Sequence, residues 1–420
     1  MYFLYICTVK LFMCGWDLVV CSCSIYYDFV FVVMMSVKKR FLLVLLPSLL
    51  LFACRESVQF PLKAFDGFDD GMRKNGDGLA VEAFFAVPLQ SGAQCMVEGI
   101  KKIIPVDSLL IVVSERSVLA FDRSGHYICN FGQRGNGEGE YIKVSTAYWD
   151  KSTRTLRVID GIRNRALVYA QNGKLLDTLF FPPATFSLLG TAESLGRHRL
   201  FCANYIYNDQ NVVMSDFDMS KEEGEPVYRF PGQTDNTQEY TGRHPFALSG
   251  NEIACVLPFD NRIYVYSTED MSLQPRMEVL TRQPVLAEEQ LVEIEDYGIN
   301  RYAEELSRGV FVGFTDIFET SGHYLLGFSN LYYAVADKVA GRVKRYGYGV
   351  DKENVDCLPL VNILSTDNDG YLIGYENAFD LKSWRFADSI QDRHLRVMER
   401  AVSTMAEEDN PCLFFYKLKR

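Results

Sequence analysis

The sequence lacks the motifs that mark most catalytic and metal centres. It has only five histidines, and none lies at the spacing of a metal site or a catalytic triad. It contains no Gly-x-Ser-x-Gly elbow and no Cys-x-x-Cys pair. Basic residues are outnumbered, since 43 Lys and Arg stand against 54 Asp and Glu. The chain therefore has no basic footprint for nucleic acid, and the sequence assigns no reaction.

Long hydrophobic runs are missing too, because the apolar stretch at residues 41–52 is too short to span a bilayer comfortably. It follows the basic segment 36–40 and ends at Ala53 and Cys54. A basic region, a short apolar region and a small residue before the cut describe a secretory signal peptide. Cysteine in the next position resembles the bacterial lipobox. That resemblance implies cleavage before Cys54 and a lipid on its sulfur. The alternative is a buried helix with an incidental cysteine.

Residues 1–34 precede this signal and are apolar and aromatic-rich. Since a signal peptide begins near its basic residues, we predict that the true start is Met34 or Met35 and that residues 1–34 are a mis-assigned start or an extra apolar segment. The alternative is a transmembrane segment at residues 18–34, interrupted by Asp28. The domain prediction is then residues 35–53 as signal peptide, 54–80 as linker and 81–420 as the folded body.

Cysteine is scattered along the folded body, at Cys95, Cys129, Cys202, Cys255, Cys357 and Cys412. Most of these lie inside apolar, strand-like runs, which favours buried small hydrophobic side chains. A disulfide in an exported protein stays open as an alternative, because the sequence cannot pair them.

What the sequence does have is a repeat rich in aromatic residues, with 24 Tyr and 29 Phe that favour strands. Strands are predicted at residues 109–113, 118–121 and 127–131, and the pattern recurs at 156–159, 166–169 and 175–181. Further copies begin near residues 200, 253, 324 and 371. Each is preceded by another short strand, at 146–149, 186–190, 246–249, 315–318 and 361–365. Four strands per unit, about 40 to 55 residues apart, describe the blades of a β-propeller.

The two ends of the repeat fit together. The sixth unit has a third strand only at residues 412–416 and no fourth strand, while residues 81–89 form an unassigned strand before the first unit. Pairing these two segments completes blade 6 and closes the ring, which protects the sheet edges. We therefore predict an all-β fold, a six-bladed β-propeller with four-stranded antiparallel blades. Apolar residues at helical spacing near 286–308 and 386–406 predict two short helical insertions.

One glycine-rich stretch, residues 131–141 with the sequence FGQRGNGEGEY, separates the first two units. It lacks the Gly-Lys-Ser/Thr of a phosphate loop, so we interpret it as a connection between blades whose glycines set the backbone path. The residues with this structural role are Gly132, Gly135, Gly137, Gly139, Glu140 and Tyr141.

This stretch resembles the Gly-Glu-Tyr signature of six-bladed β-propeller lipoproteins common in Bacteroidetes. Members often have Pro where Glu138 stands. Pro88-Leu89 at the end of the first strand, Asn410-Pro411 before the last, and Cys54 after the signal agree with the family. The match covers roughly residues 55–420. The chain is also similar to the wider NHL and TolB-like propellers, which include binding scaffolds, lyases and hydrolases. The resemblance implies a fold and a compartment in the cell envelope, periplasmic or at the outer-membrane surface.

The loops between the second and third strands of the blades should gather on one face around the channel. Their polar and aromatic residues form the predicted ligand site: Glu115, Arg116, Asp160, Arg163, Asn164, Tyr205, Tyr207, Asp260, Asn261, Arg262, Asn330, Tyr332, Glu376 and Asn377. The alternative for each is an ordinary solvated turn.

Two functions follow from this arrangement. The first is a monomeric, lipid-anchored propeller that binds a protein, peptide or glycan through its loop face, without a cofactor. The second is a metal-dependent lyase or hydrolase with a divalent cation at the channel mouth. Propellers support both, so the fold alone cannot choose between them.

Overall fold

The structure is a computed structural model, and it describes residues 4–9, 18–25, 28–37, 40–45, 62–182, 189–196, 198–203, 211–232, 244–249, 252–294, 299–328 and 332–420. The chain divides into two compact units, Met1–Pro61 and Leu62–Arg420. In the first unit, four antiparallel strands pair in sequence order: Leu4–Val9, Leu18–Ile25, Asp28–Val37 and Arg40–Leu45. Among the described residues, no helix is long and apolar enough to cross a membrane. Cys54 lies outside the described residues, so its lipidation stays a prediction.

The second unit is a six-bladed β-propeller, which confirms the predicted fold class. Blade 1 consists of Ile100–Val106, Leu109–Ser114, Val118–Asp122 and Tyr127–Asn130. Blade 2 consists of Val144–Asp150, Thr155–Asp160, Arg165–Ala170 and Leu175–Phe180. Blade 3 consists of Thr191–Gly196, Arg199–Ala203, Val212–Asp218 and Glu223–Arg229.

The remaining blades follow the same antiparallel order. Blade 4 consists of Phe246–Ser249, Glu252–Val256, Arg262–Ser267 and Ser272–Val279. Blade 5 consists of Phe314–Glu319, His323–Phe328, Tyr332–Asp337 and Arg342–Gly347. Blade 6 consists of Ile363–Thr366, Leu372–Glu376, Cys412–Leu418 and Val81–Pro88.

Blade 6 joins the two ends of the propeller, as the repeat predicted. Val81–Pro88 pairs antiparallel with Cys412–Leu418 over the whole length of both strands. The ring of Phe85 stacks on that of Phe415, with centroids 4.3 Å apart. The ring is therefore closed by strand pairing and by aromatic packing between the first and last strands.

Burial explains why the strands differ in pattern along each blade. Second strands such as Leu109–Ser114 and His323–Phe328 are buried at every residue, because neighbouring blades cover both of their faces. They therefore appear in the sequence as continuous apolar runs. Outer strands such as Tyr127–Asn130 alternate between half-buried and exposed residues. The apolar clusters fill the spaces between successive blades, and one of them joins Leu156 and Tyr169 of blade 2 to Ile111 of blade 1.

One predicted strand is displaced in the structure. The first strand of blade 3 was expected at residues 186–190, but it is Thr191–Gly196, which pairs with Arg199–Ala203. Residues 183–188 lie outside the described residues. The strand was predicted too early because residues 186–190 are more apolar than Thr191–Gly196. The polar composition of Thr191–Gly196 does not indicate a strand.

Residues 62–80, which we call the amino-terminal strap, differ from the predicted linker. Lys63–Phe65 adds a parallel fifth strand to the outer edge of blade 4, and Met72–Arg73 does the same at blade 5. Phe68 lies between them with no solvent exposure and packs edge-on against Phe311 and Phe328. The strap therefore covers two outer sheet edges before the chain enters blade 6.

Helices occupy both segments where insertions were predicted. α1, Glu288–Val292, and α2, Ile299–Ser307, lie between blades 4 and 5. α3, Ala378–Lys382, and α4, Arg393–Ser403, lie between the second and third strands of blade 6. α4 begins at Asp392, whose side chain accepts a hydrogen bond from the backbone N–H of His394. Its apolar stripe of Leu395, Met398 and Val402 is buried against blade 6.

Candidate functional site

The topology collects two kinds of loop on one face of the propeller. Because strands alternate in direction, the loops between second and third strands share a face with the connections from one blade to the next. Backbone hydrogen bonds join the two kinds of loop: Val144 donates to Glu115 at 3.2 Å, and Phe181 donates to Asn164 at 2.9 Å. We call this side the loop face. The glycine-rich connection lies on it, and α3 begins there directly after the second strand of blade 6.

The predicted residues of blade 2 are engaged within the protein. Asp160 is fully buried, accepts a hydrogen bond from the backbone N–H of Ile142 at 3.2 Å and pairs with Arg165. Arg163 donates to the side chain of Asn136 and to the carbonyl of Glu140. Asn164 adopts a φ of 47°, the left-handed conformation of a tight turn. These residues hold the glycine-rich connection against blade 2.

The predicted residues of blade 4 also satisfy one another. Asp260 accepts from the guanidinium of Arg262 at 2.9 Å and from the hydroxyl of Tyr264 at 2.6 Å. The Arg262 guanidinium lies over the Tyr264 ring, 5.3 Å from its centroid. Burial beside Asp260 raises the pKa of Tyr264. Asn261 donates to the carbonyl of Val279 at 2.9 Å. These hydrogen bonds therefore link the polar residues of the blade 4 loop to other groups of blade 4.

The other predicted residues are spread around the face. Glu115 pairs with Lys143 at 2.9 Å, which lowers the pKa of Glu115, and Arg116 pairs with Glu98 at 3.0 Å. Tyr332 is half-buried, with its ring 6.2 Å from that of Phe328. Three further predicted residues, Tyr205, Tyr207 and Asn330, lie outside the described residues.

The family signature forms the contacts of a structural connection. Glu140 accepts from the side chain of Gln133 and from the backbone N–H of Gly137, each at 2.6 Å, and these bonds lower the pKa of Glu140. Tyr141 is fully buried between blades 1 and 2, where its hydroxyl accepts from the backbone N–H of Val118. Its burial raises its pKa to about 12. Hydrogen bonds therefore join the two ends of the stretch to each other, and Tyr141 packs between blades 1 and 2.

Inside the channel, one ammonium group links three blades. Lys102, on the first strand of blade 1, is 7% exposed, and its Nζ donates to the carbonyls of Ala147 at 3.0 Å and Ala192 at 2.8 Å. Glu193 Oε1 lies 2.6 Å from the same nitrogen. Across the residues that the structure describes, no group of three or more His, Cys, Asp or Glu could hold a metal ion.

Blade 6 is where a predicted residue faces open space. A cavity of about 200 Å³ lies between the connection from blade 5 and the start of the helical insertion. The residues that line it include Tyr348, Lys352, Val361, Asn362, Glu376 and Trp384. Of the predicted ligand residues, Glu376 lines this cavity, and Asn377 is the N-cap of α3 beside it.

The polar groups of this cavity are connected. The hydroxyl of Tyr348 donates to Asn362 Oδ1, and Asn362 Nδ2 lies 3.4 Å from Glu376 Oε2. Lys352 Nζ lies 2.8 Å from Asp380 Oδ1 at the rim. The indole N–H of Trp384 is buried and has no hydrogen-bond partner among the described residues. The cavity therefore combines a carboxyl group and an amide, and one of the residues that line it carries a buried N–H without a partner among the described residues.

Burial dominates the chemistry of Glu376. It raises the pKa of this carboxyl from 4.5 to about 7, and the nearby Asp380 adds to the increase. The backbone N–H of Asn377 and the ammonium of Lys352 act in the opposite direction. At neutral pH the carboxyl therefore exists in both protonation states, and it can donate or accept a hydrogen bond.

Tyr348, Asn362 and Trp384 line the cavity but were not predicted as ligand residues. Tyr348 lies on the connection between blades 5 and 6, which carries no repeat signal. Asn362 falls in the predicted strand at residues 361–365 and directly precedes the observed strand Ile363–Thr366. Trp384 lies in the helical insertion, where an isolated aromatic residue suggests packing. Only Trp384 offered a signal, since it is one of three tryptophans in the chain.

Four-stranded antiparallel blades and a ring closed between the first and last strands define the protein as a six-bladed β-propeller. The chain belongs to the family described as a domain of unknown function, DUF4934, which it matches over residues 80–417. A search of curated proteins found no match.

Several solved structures are similar to this chain. One is the crystal structure of a protein from Bacteroides fragilis that is described as an exported protein by prediction. Its TM-score is 0.61 at 17% identity, and the match covers 86% of this chain and 100% of that one. A member of the DUF4221 family from Bacteroides vulgatus has a TM-score of 0.49 and 12% identity, and covers 81% of this chain and 98% of its own. The WD40 domain of Neurospora crassa Pan2 has a TM-score of 0.38 and 11% identity, with 76% of each chain covered. At such identities, the likeness of the first structure shows the fold alone.

Proposed function

We propose that this protein is an exported, lipid-anchored β-propeller of the cell envelope that binds a protein, peptide or glycan ligand through its loop face. The observation that carries the proposal is the cavity beside Glu376, where aromatic and polar side chains converge. The other predicted loop residues with described partners are held by bonds inside the protein, so we place the ligand at blade 6.

The anchor has its own support and its own test. The support is the order of basic segment, short apolar run and Cys54, together with the exported relative from Bacteroides fragilis. Cells expressing the full chain are labelled with radioactive palmitate, and the protein is recovered. We expect label on the wild type and on Cys357→Ala, and none on Cys54→Ala. Equal labelling of Cys54→Ala would refute the anchor.

The binding face is tested separately. The full chain in native membranes is probed with arrays of labelled peptides and oligosaccharides. We expect at least one class to bind and Glu376→Ala to weaken that binding. Lys151→Ala is the matched control, because Lys151 is exposed in the turn between the first two strands of blade 2, on the opposite face. A ligand lost on Lys151→Ala but retained on Glu376→Ala would contradict the proposal.

A further inference from the structure

The cavity on blade 6 has a composition that selects among ligand classes. We infer that it binds an uncharged, polyhydroxylated ligand, in chemical terms a neutral saccharide. This inference rests on the proposed function, since it names the ligand class for the same face.

Tyr348 is the tyrosine that lines the cavity, and we call it the aromatic wall. Tyr348 is 37% exposed, and its ring is supported from behind by Tyr333, with centroids 5.2 Å apart. Its hydroxyl is engaged with Asn362, so the ring is held in place at both ends. A rigid aromatic face of this kind packs against the flat C–H face of a sugar ring at low cost in side-chain entropy.

The polar groups require a ligand with hydroxyls. Trp384 is 6% exposed, and its indole N–H has no partner among the described residues. A buried donor without a partner costs free energy, which a ligand oxygen would recover. The Glu376 carboxyl can both donate and accept near neutral pH. A wholly apolar ligand would leave the donor of Trp384 and the carboxyl of Glu376 unpaired.

Charge at the rim disfavours ionic ligands. Lys352 is paired with Asp380 at 2.8 Å, so its ammonium is already neutralised. Ionised Glu376 would repel a carboxylate or phosphate. An amine could pair with ionised Glu376, but it could not accept a hydrogen bond from Trp384 once protonated. A neutral ligand with several hydroxyls satisfies all of these groups.

The backbone around the cavity does not offer a docking strand. Leu372–Glu376 is paired on both sides, with Ile363–Thr366 and with Cys412–Leu418. The other wall is the connection at residues 348–362. An extended peptide would therefore find no free strand edge to extend, and peptide recognition through main-chain pairing does not fit this cavity.

The test measures binding of defined probes to the full chain solubilised in detergent. The probes are the neutral trisaccharides of glucose, mannose and xylose, a trigalacturonate, a glucosamine trimer and a tripeptide of alanine. We expect one neutral trisaccharide to bind in the micromolar to millimolar range, with trigalacturonate at least tenfold weaker. Calorimetric titration gives the dissociation constant for each probe.

Two conservative variants keep the test informative if larger changes unfold the protein. Trp384→Phe removes only the indole N–H, and we expect binding about three- to tenfold weaker. Glu376→Gln keeps a donor and an acceptor, so binding of a neutral sugar should change by less than about threefold. Glu98→Ala is the control and should leave binding unchanged, because Glu98 is exposed just before the first strand of blade 1 and is not among the predicted ligand residues.

The outcomes separate this inference from the proposed function. Binding of the glucosamine trimer or of the tripeptide alone, abolished by Glu376→Gln, would overturn the saccharide assignment and leave ligand binding at the loop face intact. Trisaccharide binding that survives both Trp384→Phe and Glu376→Ala would overturn the placement at this cavity. Absence of binding by every neutral trisaccharide would overturn the inference.

Discussion

The side-chain amide of Asn75 forms both backbone hydrogen bonds with Leu360: its Nδ2 donates to the carbonyl at 2.8 Å, and its Oδ1 accepts from the N–H at 2.9 Å. The same Nδ2 donates to the carbonyl of Tyr348 at 2.9 Å. Tyr348 and Leu360 both line the cavity on blade 6. The strap therefore holds the backbone of the proposed binding site, although it contributes no side chain to the aromatic wall.

Replacing Asn75 should weaken both the fold and the cavity. Asn75 is 3% exposed, so Asn75→Ala removes its hydrogen bonds to the two buried backbone groups of Leu360 and to the part-buried carbonyl of Tyr348. We expect a loss of roughly 2–4 kcal/mol in the free energy of unfolding, measured in urea. Lys74→Ala is the control from the adjacent position, because its ion pair with Asp356 is solvent-exposed and should contribute less than about 1 kcal/mol. Similar losses for the two variants would contradict the bracing role of Asn75.

The stability of the protein should depend on pH through Glu376. Its folded pKa of about 7 lies above the ordinary 4.5, so the folded state binds more protons than the unfolded state between these values. The free energy of unfolding should therefore fall as pH rises from about 4.5 to 7, by at most roughly 3 kcal/mol. Glu376→Gln should abolish this part of the decline.

The measurement for Glu376 is the urea midpoint of wild type and variant at several pH values from 4.5 to 8. Glu115→Gln is the control, since the ion pair with Lys143 lowers the pKa of Glu115. Its removal should leave the decline in place. Parallel pH curves for the wild type and Glu376→Gln would show that burial does not raise the pKa of this carboxyl.

Lys102 should contribute more to the free energy of unfolding than a surface lysine does. Lys102→Met keeps the aliphatic stem but removes the ammonium that bridges Ala147, Ala192 and Glu193. We expect a loss of about 2–4 kcal/mol in the free energy of unfolding. Lys101→Met, one residue earlier and 39% exposed at its side chain, should cost less than about 1 kcal/mol. A double-mutant cycle with Glu193→Gln would show no coupling if the ammonium and the carboxylate acted independently.

The first glycine of the signature should tolerate no side chain. Gly132 has a φ of +75°, and a Cβ there would lie 2.3 Å from the Tyr169 hydroxyl, which donates to the carbonyl of Gly139. We expect Gly132→Ala to cost roughly 3 kcal/mol or more. Gly99 has a φ of +58° but open space around it, so Gly99→Ala reports the backbone strain alone, about 1–2 kcal/mol. Equal costs would mean that crowding at Gly132 is relieved elsewhere.

Repetition explains why the fold could be predicted from the sequence. Second strands such as Leu109–Ser114 are apolar throughout, and the unmatched segments at residues 81–89 and 412–416 indicated how the ring closes. The strands of the strap could not be predicted, because strands of two or three residues, such as Met72–Arg73, are too short to show a period.

The candidate site was predicted less well for a physical reason. Topology placed the right loops on one face, but the sequence cannot show where a side chain turns. Asp260 and Arg262 turn towards each other, and Asp160 turns into the protein, whereas Glu376 turns towards open space. The partners of Glu376 lie on a connection and an insertion, and only the folded chain brings them together.

The pairing of Val81–Pro88 with Cys412–Leu418 also determines when the protein can finish folding. The first of these strands leaves the ribosome early, and the second is made last. Until then Phe84 and Phe85 have no partner strand, and a growing chain cannot lock into a ring. Closure of the ring is therefore a late step in folding, because it requires both of these strands.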